Sequence, residues 1–334
     1  MSLSIAAPTE EQSGDNYAES LKALSEGSVH KHFDPYVDID WDSPEFAVTP
    51  NDRRWILPEH GDPLGAHPWY QALPIEKKIE IGMWRQANVA KVGLQFETVL
   101  IGGLMQHVFK QPNGSAEFRY CTHEVIEECN HTLMFQEMVN RIGVDVPGAR
   151  PGIKWLAPIV PIAGTILPEI FFVGILAGEE PIDHIQKAIL RSGEEIHPIM
   201  AGVMRIHVAE EARHISFAHQ FLSHHVPQMS TVGRFGLSLA FPVIMRVLCD
   251  SIAVPPPSFW KTFDIPASVK KDLFWDTPSS RQTLQDYFAD VRMLAEDIGL
   301  MNPVSRAIWK ICKIDGRPSR YRSEPSRVPV RASA

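Results

Sequence analysis

The sequence predicts an all-α protein whose core is a bundle of four long helices enclosing two metal ions. Two observations carry this. A lone Glu97 is followed 31 residues later by Glu128-x-x-His131, and a lone Glu179 is followed 32 residues later by Glu211-x-x-His214. Two lone glutamates plus two Glu-x-x-His pairs, one element per helix, form the ligand set of a carboxylate-bridged dimetal site in a four-helix bundle. The long segments that carry these residues also show no hairpin signal and no nucleotide-binding glycine loop.

The spacing has a chemical reason. Residues three or four apart lie one turn apart on one helix face, so Glu128 and His131 can reach the same ion. His207 stands four residues before Glu211, so His207, Glu211 and His214 form one narrow stripe. Neutral imidazoles suit iron, and four carboxylates balance two divalent ions in a buried site. The expected division gives one ion Glu97, Glu128 and His131, and the other Glu179, His207, Glu211 and His214. With 23 Glu and 14 His in 334 residues, chance alone supplies about one Glu-x-x-His. Three occur. The third, Glu194-x-x-His197, lies between Gly193 and Pro198, at an expected break between helices.

Taken in order, residues 1–73 read as an extended N-terminal arm with one short helix near residues 17–24. Its aromatic residues, among them Trp41 and Trp55, are expected to pack on the bundle. The domain proper is expected over 74–316. Its long helices are predicted at 75–108, 116–142, 168–190 and 198–222, the third opening on Pro168, a favourable first-turn residue. Pro181, two residues after Glu179, is expected to kink the third helix. Accessory helices are predicted at 231–252, 266–273 and 279–299, with Val254–Ser258 as a stiff connector. Residues 317–334 hold five Arg and one Glu and are expected to be a mobile basic tail.

Composition bounds the function. The net charge of −8 gives no reason to expect nucleic acid as a partner. Four cysteines without a C-x-x-C pair, and an N-terminus without an apolar signal core, point to a reduced, cytoplasmic protein. The apolar stretch Trp155–Gly178 carries Pro158, Pro161, Pro168 and Glu169. It therefore reads as a buried core helix rather than a membrane span, with peripheral membrane contact left open. Beside the ligands, Glu124 shares their face, and Asp183 is placed to orient a histidine. Glu180 and Glu210, each about 100° round the helix from a ligand, are expected to face elsewhere.

The four Glu, the two Glu-x-x-His pairs and the third histidine at His207 together resemble the p-aminobenzoate N-oxygenase family, over roughly residues 70–225. Gly82-Met83-Trp84 adds to the likeness. The resemblance implies a ferritin-like four-helix core with a diiron centre of two Fe ions. It also implies O2 as co-substrate, a peroxo-type intermediate, and oxidation of an aromatic amine. The metal and catalytic residues it implies are Glu97, Glu128, His131, Glu179, His207, Glu211 and His214. An external electron donor or reductase is required, because no flavin or NAD motif lies in the chain, and a homodimer is expected. The small-molecule substrate is expected to be an arylamine or another apolar compound. A benzoate would need a cation, for which the first ligand helix offers only Arg85 and Lys91. Two alternatives stay open: a diiron C–H hydroxylase or desaturase acting on a lipid-like substrate, and an iron-binding or storage protein.

Overall fold

The structure, a computed structural model, describes residues 10–59 and 61–324. Every regular element among the described residues is helical. In chain order these are α1 (Glu10–His30), α2 (Pro68–Gln71), α3 (Ile75–Val108), α4 (Ala116–Ile142), α5 (Pro151–Leu156), α6 (Ala163–Ile166), α7 (Pro168–Arg191), α8 (Pro198–His225), α9 (Thr231–Ala253), α10 (Pro257–Thr262), α11 (Ala267–Lys271), α12 (Pro278–Asp286), α13 (Ala289–Asp297) and α14 (Pro303–Ile311).

Local signals fix the ends of the bundle helices. Ser115 caps α4 by accepting the Phe118 N–H, and Gly143, at φ +71°, ends it in the left-handed conformation. Pro198 opens α8, while the His197 ring accepts the Ile199 N–H. α3 and α4 pack together, as do α7 and α8, and α4 against α8 and α3 against α7 close a ferritin-like bundle of four. α1 lies across α4 and α8, α9 covers α7, and α14 packs on α9.

The core is divided, and the division places the site. One apolar cluster holds Leu100 and Leu104 of α3, Tyr120 of α4, Phe172 of α7, and Phe217 and Phe221 of α8. The other holds Trp84 and Ala90 of α3, Met134 and Phe135 of α4, Ile189 of α7, and Met204 of α8. On all four helices the predicted ligands fall between the two clusters. The acidic and imidazole groups therefore form one polar layer clamped between two dry ones.

Several expectations need correction. The N-terminal helix spans 21 residues instead of one short piece. The segment 279–299 is two helices, α12 and α13, α11 is shorter than predicted, and α10 begins within the last two residues of the expected stiff connector, whose first three are non-helical. Trp155–Gly178 is not one buried helix. Its first half breaks at the prolines into α5, a 3-10 turn and α6, and leaves Trp155 75 % exposed with Ile159 and Ile166 also outward. Burial starts at α7, with Phe171, Phe172 and Val173. Pro181 falls inside α7, where it was placed from the sequence, and the helix extends on to Arg191. Arg317 and Arg320 pair with Glu324, and the Ser319 N–H bonds the Ala289 carbonyl. Residues 325–334 of the expected tail lie outside the described residues.

Gly82 is the tightest point between the arm and the bundle. A Cβ there would sit 1.8 Å from the Trp55 carbonyl oxygen, a backbone atom that cannot swing aside. Gly82→Ala gains about 1 kcal/mol of helix propensity but must displace the arm. A net loss of about 1–3 kcal/mol is expected, read as a lower urea midpoint. An unchanged or higher midpoint would show that the arm adapts freely.

Candidate metal centre

All seven predicted residues are buried in the polar layer. Glu128, His131, Glu211 and His214 each bring one donor atom to within 4.8 Å of the others, and Glu97, His207 and Glu211 form a second such group. Glu211 belongs to both. This grouping differs from the expected division: His131 and His214 stand together, and His207 stands with Glu97. The cause is that α4 and α8 face each other directly, so their two Glu-x-x-His turns meet. Glu179 is in neither group. It is buried, neither carboxyl oxygen has a hydrogen-bond partner, and it lines one cavity with Glu97 and His207.

Each histidine is held by one ring nitrogen from outside and turns the other inward. His131 Nε2 lies 2.9 Å from Glu210 Oε2, and its Nδ1 lies 3.0 Å from Glu128 and 3.5 Å from Glu211. His214 Nε2 lies 2.8 Å from Glu127 Oε2, and its Nδ1 faces Glu128 at 2.8 Å and Glu211 at 3.5 Å. His207 Nδ1 lies 2.9 Å from Gln186 Oε1, and its Nε2 faces Glu211 at 3.3 Å and Glu97 at 3.6 Å. Such outer partners fix the ring orientation and the tautomer of a metal-binding histidine.

The outer partners were not legible in the sequence. Glu210 was expected to face away. It does leave its own ligand Glu211, but only to meet His131 on α4. Glu127 does the same in reverse, from α4 to His214 on α8. Two Glu-Glu-x-x-His motifs thus brace each other crosswise. Arg213 ties both braces, at 2.8 Å from Glu127 and 3.7 Å from Glu210. A doubled glutamate in each motif was the available signal. Asp183 does not orient a histidine: it pairs with Lys187 at 2.6 Å, and Gln186 takes the role. Glu180 turns to His219, 2.8 Å away. Glu194 and His197 stand apart from the cluster. Glu194 accepts the Glu59 N–H, and His197 stacks on Trp55 at 4.3 Å.

The electrostatics call for cations. Burial, then the neighbouring carboxylates, push the carboxyls of Glu97 and Glu179 well above their ordinary range. Burial also raises Glu124, both of whose oxygens lack a partner. Against the desolvation that would raise it, His131 and His214 hold Glu128 well below the usual range. Burial alone would lower His131, but Glu128, Glu210 and Glu211 raise it to about 10. The donor set fits two divalent ions. Atoms of Glu97, Glu128, Glu211, His207 and His214 converge without hydrogen-bond partners, in a layer where unneutralised charge is costly. Mixed carboxylate and imidazole donors suit iron or manganese.

A four-helix bundle with paired Glu-x-x-His turns around a buried carboxylate–histidine layer defines the dimetal-carboxylate class of ferritin-like proteins. Within that class the assignment is specific. The p-aminobenzoate N-oxygenase AurF family model matches residues 14–299, and the chain belongs to that family. It is 63 % identical over 317 residues to the uncharacterized protein Mb0909 of Mycobacterium bovis, covering 95 % of this chain and 93 % of the relative. The uncharacterized protein Rv0885 of Mycobacterium tuberculosis matches with the same identity and coverage. No solved structure matches the chain.

The crossed braces are directly testable. Glu127→Gln or Glu210→Gln keeps the shape but removes the charge behind a histidine, and metal affinity should fall about 10- to 100-fold. Competition titration with a chelator measures this, and wild-type affinity in both variants would make the braces structural only. A second expectation concerns pH in metal-free protein. Folding favours protonated His131, so its stabilisation is complete below its ordinary 6.5 and is lost as pH rises through about 10. Glu97, Glu124 and Glu179, with raised folded-state values, also lose stability as pH rises. The Tm of metal-free protein should fall steadily above pH 6.5. Bound divalent ions, which replace those protons, should flatten the fall. A metal-free Tm level across that window would contradict this account.

Proposed function

We propose that the protein is an O2-dependent diiron oxygenase of the arylamine N-oxygenase type. One observation supports this above the rest. In a chain of the AurF family, the seven Glu and His residues occupy one buried layer with their unpartnered donor atoms turned inward. His131, His214, Glu128 and Glu211 would hold one ion, and Glu97, His207 and Glu179 the other. Glu211, shared by both groups, is the residue best placed to bridge. When bound, the two irons supply the electrons and Lewis acidity that reduce O2.

The remaining work falls to the chain. Glu210, Glu127 and Gln186 fix the three rings so that only the inward nitrogens face the ions. Phe135, 5.1 Å from the His207 ring, and the two apolar clusters exclude water. The net reaction takes one amine, one O2, two electrons and two protons to one hydroxylamine and one water. The amine nitrogen loses two electrons, and an external donor supplies the other two. The chain is proposed to work as a cytoplasmic homodimer with that donor. A second reading, C–H hydroxylation or desaturation, gains support from the apolar lining of the cavity that ends on Glu97 and His207.

Purified protein should take up two Fe(II) per chain in anaerobic titration, and the diferrous form should consume O2. Glu128→Ala and Glu211→Ala should abolish that reactivity, whereas Glu194→Ala should leave it intact. His207→Ala should fold but change the lifetime of the oxidised species seen by stopped-flow absorption. One tight zinc with no second site, or equal loss from Glu194→Ala, would sink the assignment.

A further inference from the structure

A cavity ends on the proposed centre, with Glu97, Glu179 and His207 at its inner end. From Glu97 it follows one stripe of α3 through Gly93 and Ala90 to Gln86. These positions recur every three or four residues, so they share a face. Eleven residues of helix correspond to about 16 Å. The facing helices step away from the centre in the same sense: Ile182 and Gln186 beyond Glu179, and Val203 before His207. The cavity is therefore a narrow slot along the bundle axis; only about 40 Å³ of it stands open, so a long ligand must part its flexible walls, Met138 and Met204 among them.

Its chemistry is as directional as its shape. Phe135, Met138, Ile182, Val203 and Met204 make the walls apolar, and among the described residues no lysine or arginine lines it. The two nearby cations of α3 are engaged elsewhere. Arg85 pairs with the buried Asp62 at 2.5 Å, and Lys91 bonds Gln136 at 2.8 Å. A carboxylate carried on the body of a substrate would lie along these apolar walls, away from the proposed ions, with no positive side chain to neutralise it. At the outer end Gln86 is buried, and its amide bonds no described residue, so it is free to meet an uncharged polar group.

We infer that the slot binds an elongated, uncharged, mostly apolar substrate. Its reacting end lies against Glu97 and His207, its body along α3, and its outer end within reach of Gln86. With the amine chemistry proposed above, that class is an aniline with an apolar para substituent, rather than an aminobenzoate. Only the identity of the reacting group rests on the N-oxygenase reading.

The test measures binding first, on full-length protein loaded with Mn(II) so that turnover does not intervene. Calorimetry would compare aniline, 4-butylaniline, 4-hexylaniline, p-aminobenzoate and its methyl ester. Affinity should rise at least about tenfold from aniline to 4-hexylaniline, and the ester should bind at least about tenfold tighter than the acid. Ala90→Phe, which plugs the slot midway, should remove the gain with chain length, with metal content as the check on folding. Equal affinity for acid and ester, or no gain with length in the wild type, would overturn the proposal without any variant. The same compounds are then given to diferrous protein with O2. If 4-hexylaniline binds tightly but is not oxidised, the N-oxygenase reading fails and the slot stands. If p-aminobenzoate binds as well as its ester and is oxidised, the chemistry stands and the slot proposal fails.

Discussion

Everything in this molecule answers to the burial of glutamate. Glu97, Glu124, Glu127, Glu128, Glu179, Glu180, Glu210 and Glu211 are all sequestered from water. So many carboxylates in a low-dielectric interior are tolerable only if positive charge and hydrogen-bond donors meet them there. His131, His214, His219 and Arg213 supply part of it. Two divalent ions would supply the rest. The long helices, the twin apolar clusters and the N-terminal cover all serve to hold that layer together and dry.

The layer is ordered from outside inward. Arg213 fixes Glu127 and Glu210, which fix His214 and His131, whose inner nitrogens face Glu128 and Glu211. The arm completes this shell, since the Phe33 N–H donates to Glu210 at 3.3 Å and Asn130 holds the Phe33 carbonyl at 3.0 Å. Gly27 of α1 belongs to the same device. A Cβ there would come within 3.3 Å of the Arg213 stem, so the glycine leaves that cation its room. Residues far from any ion thereby set the geometry around it.

The bundle was legible because its signals are local. Ser115, Gly143, Pro168 and Pro198 mark helix ends wherever they occur, and the ligand spacing is a property of single helices. What escaped was relational. On its own helix Glu210 points away from the ligand face, and its partner His131 belongs to α4. Gln186 escaped because an amide carries no charge to draw the eye, although it lies on the Glu179 stripe. The exposure of Trp155 and Ile159 escaped because hydropathy reports composition, and three prolines had already ruled out the continuous helix that would have buried them. The pairing of His131 with His214 depended on which helices face each other, and no spacing along one helix encodes that.

The covering of α4 and α8 by α1 has a consequence for biogenesis. α1, made before the rest of the bundle, docks on surfaces that include α8, which is complete only at His225. Until then the nascent chain carries Glu97, Glu128 and His131 with no opposing imidazoles and no cover. Contacts so distant in sequence form late. The full set of seven residues can therefore converge only once α8 has emerged and closed on α4.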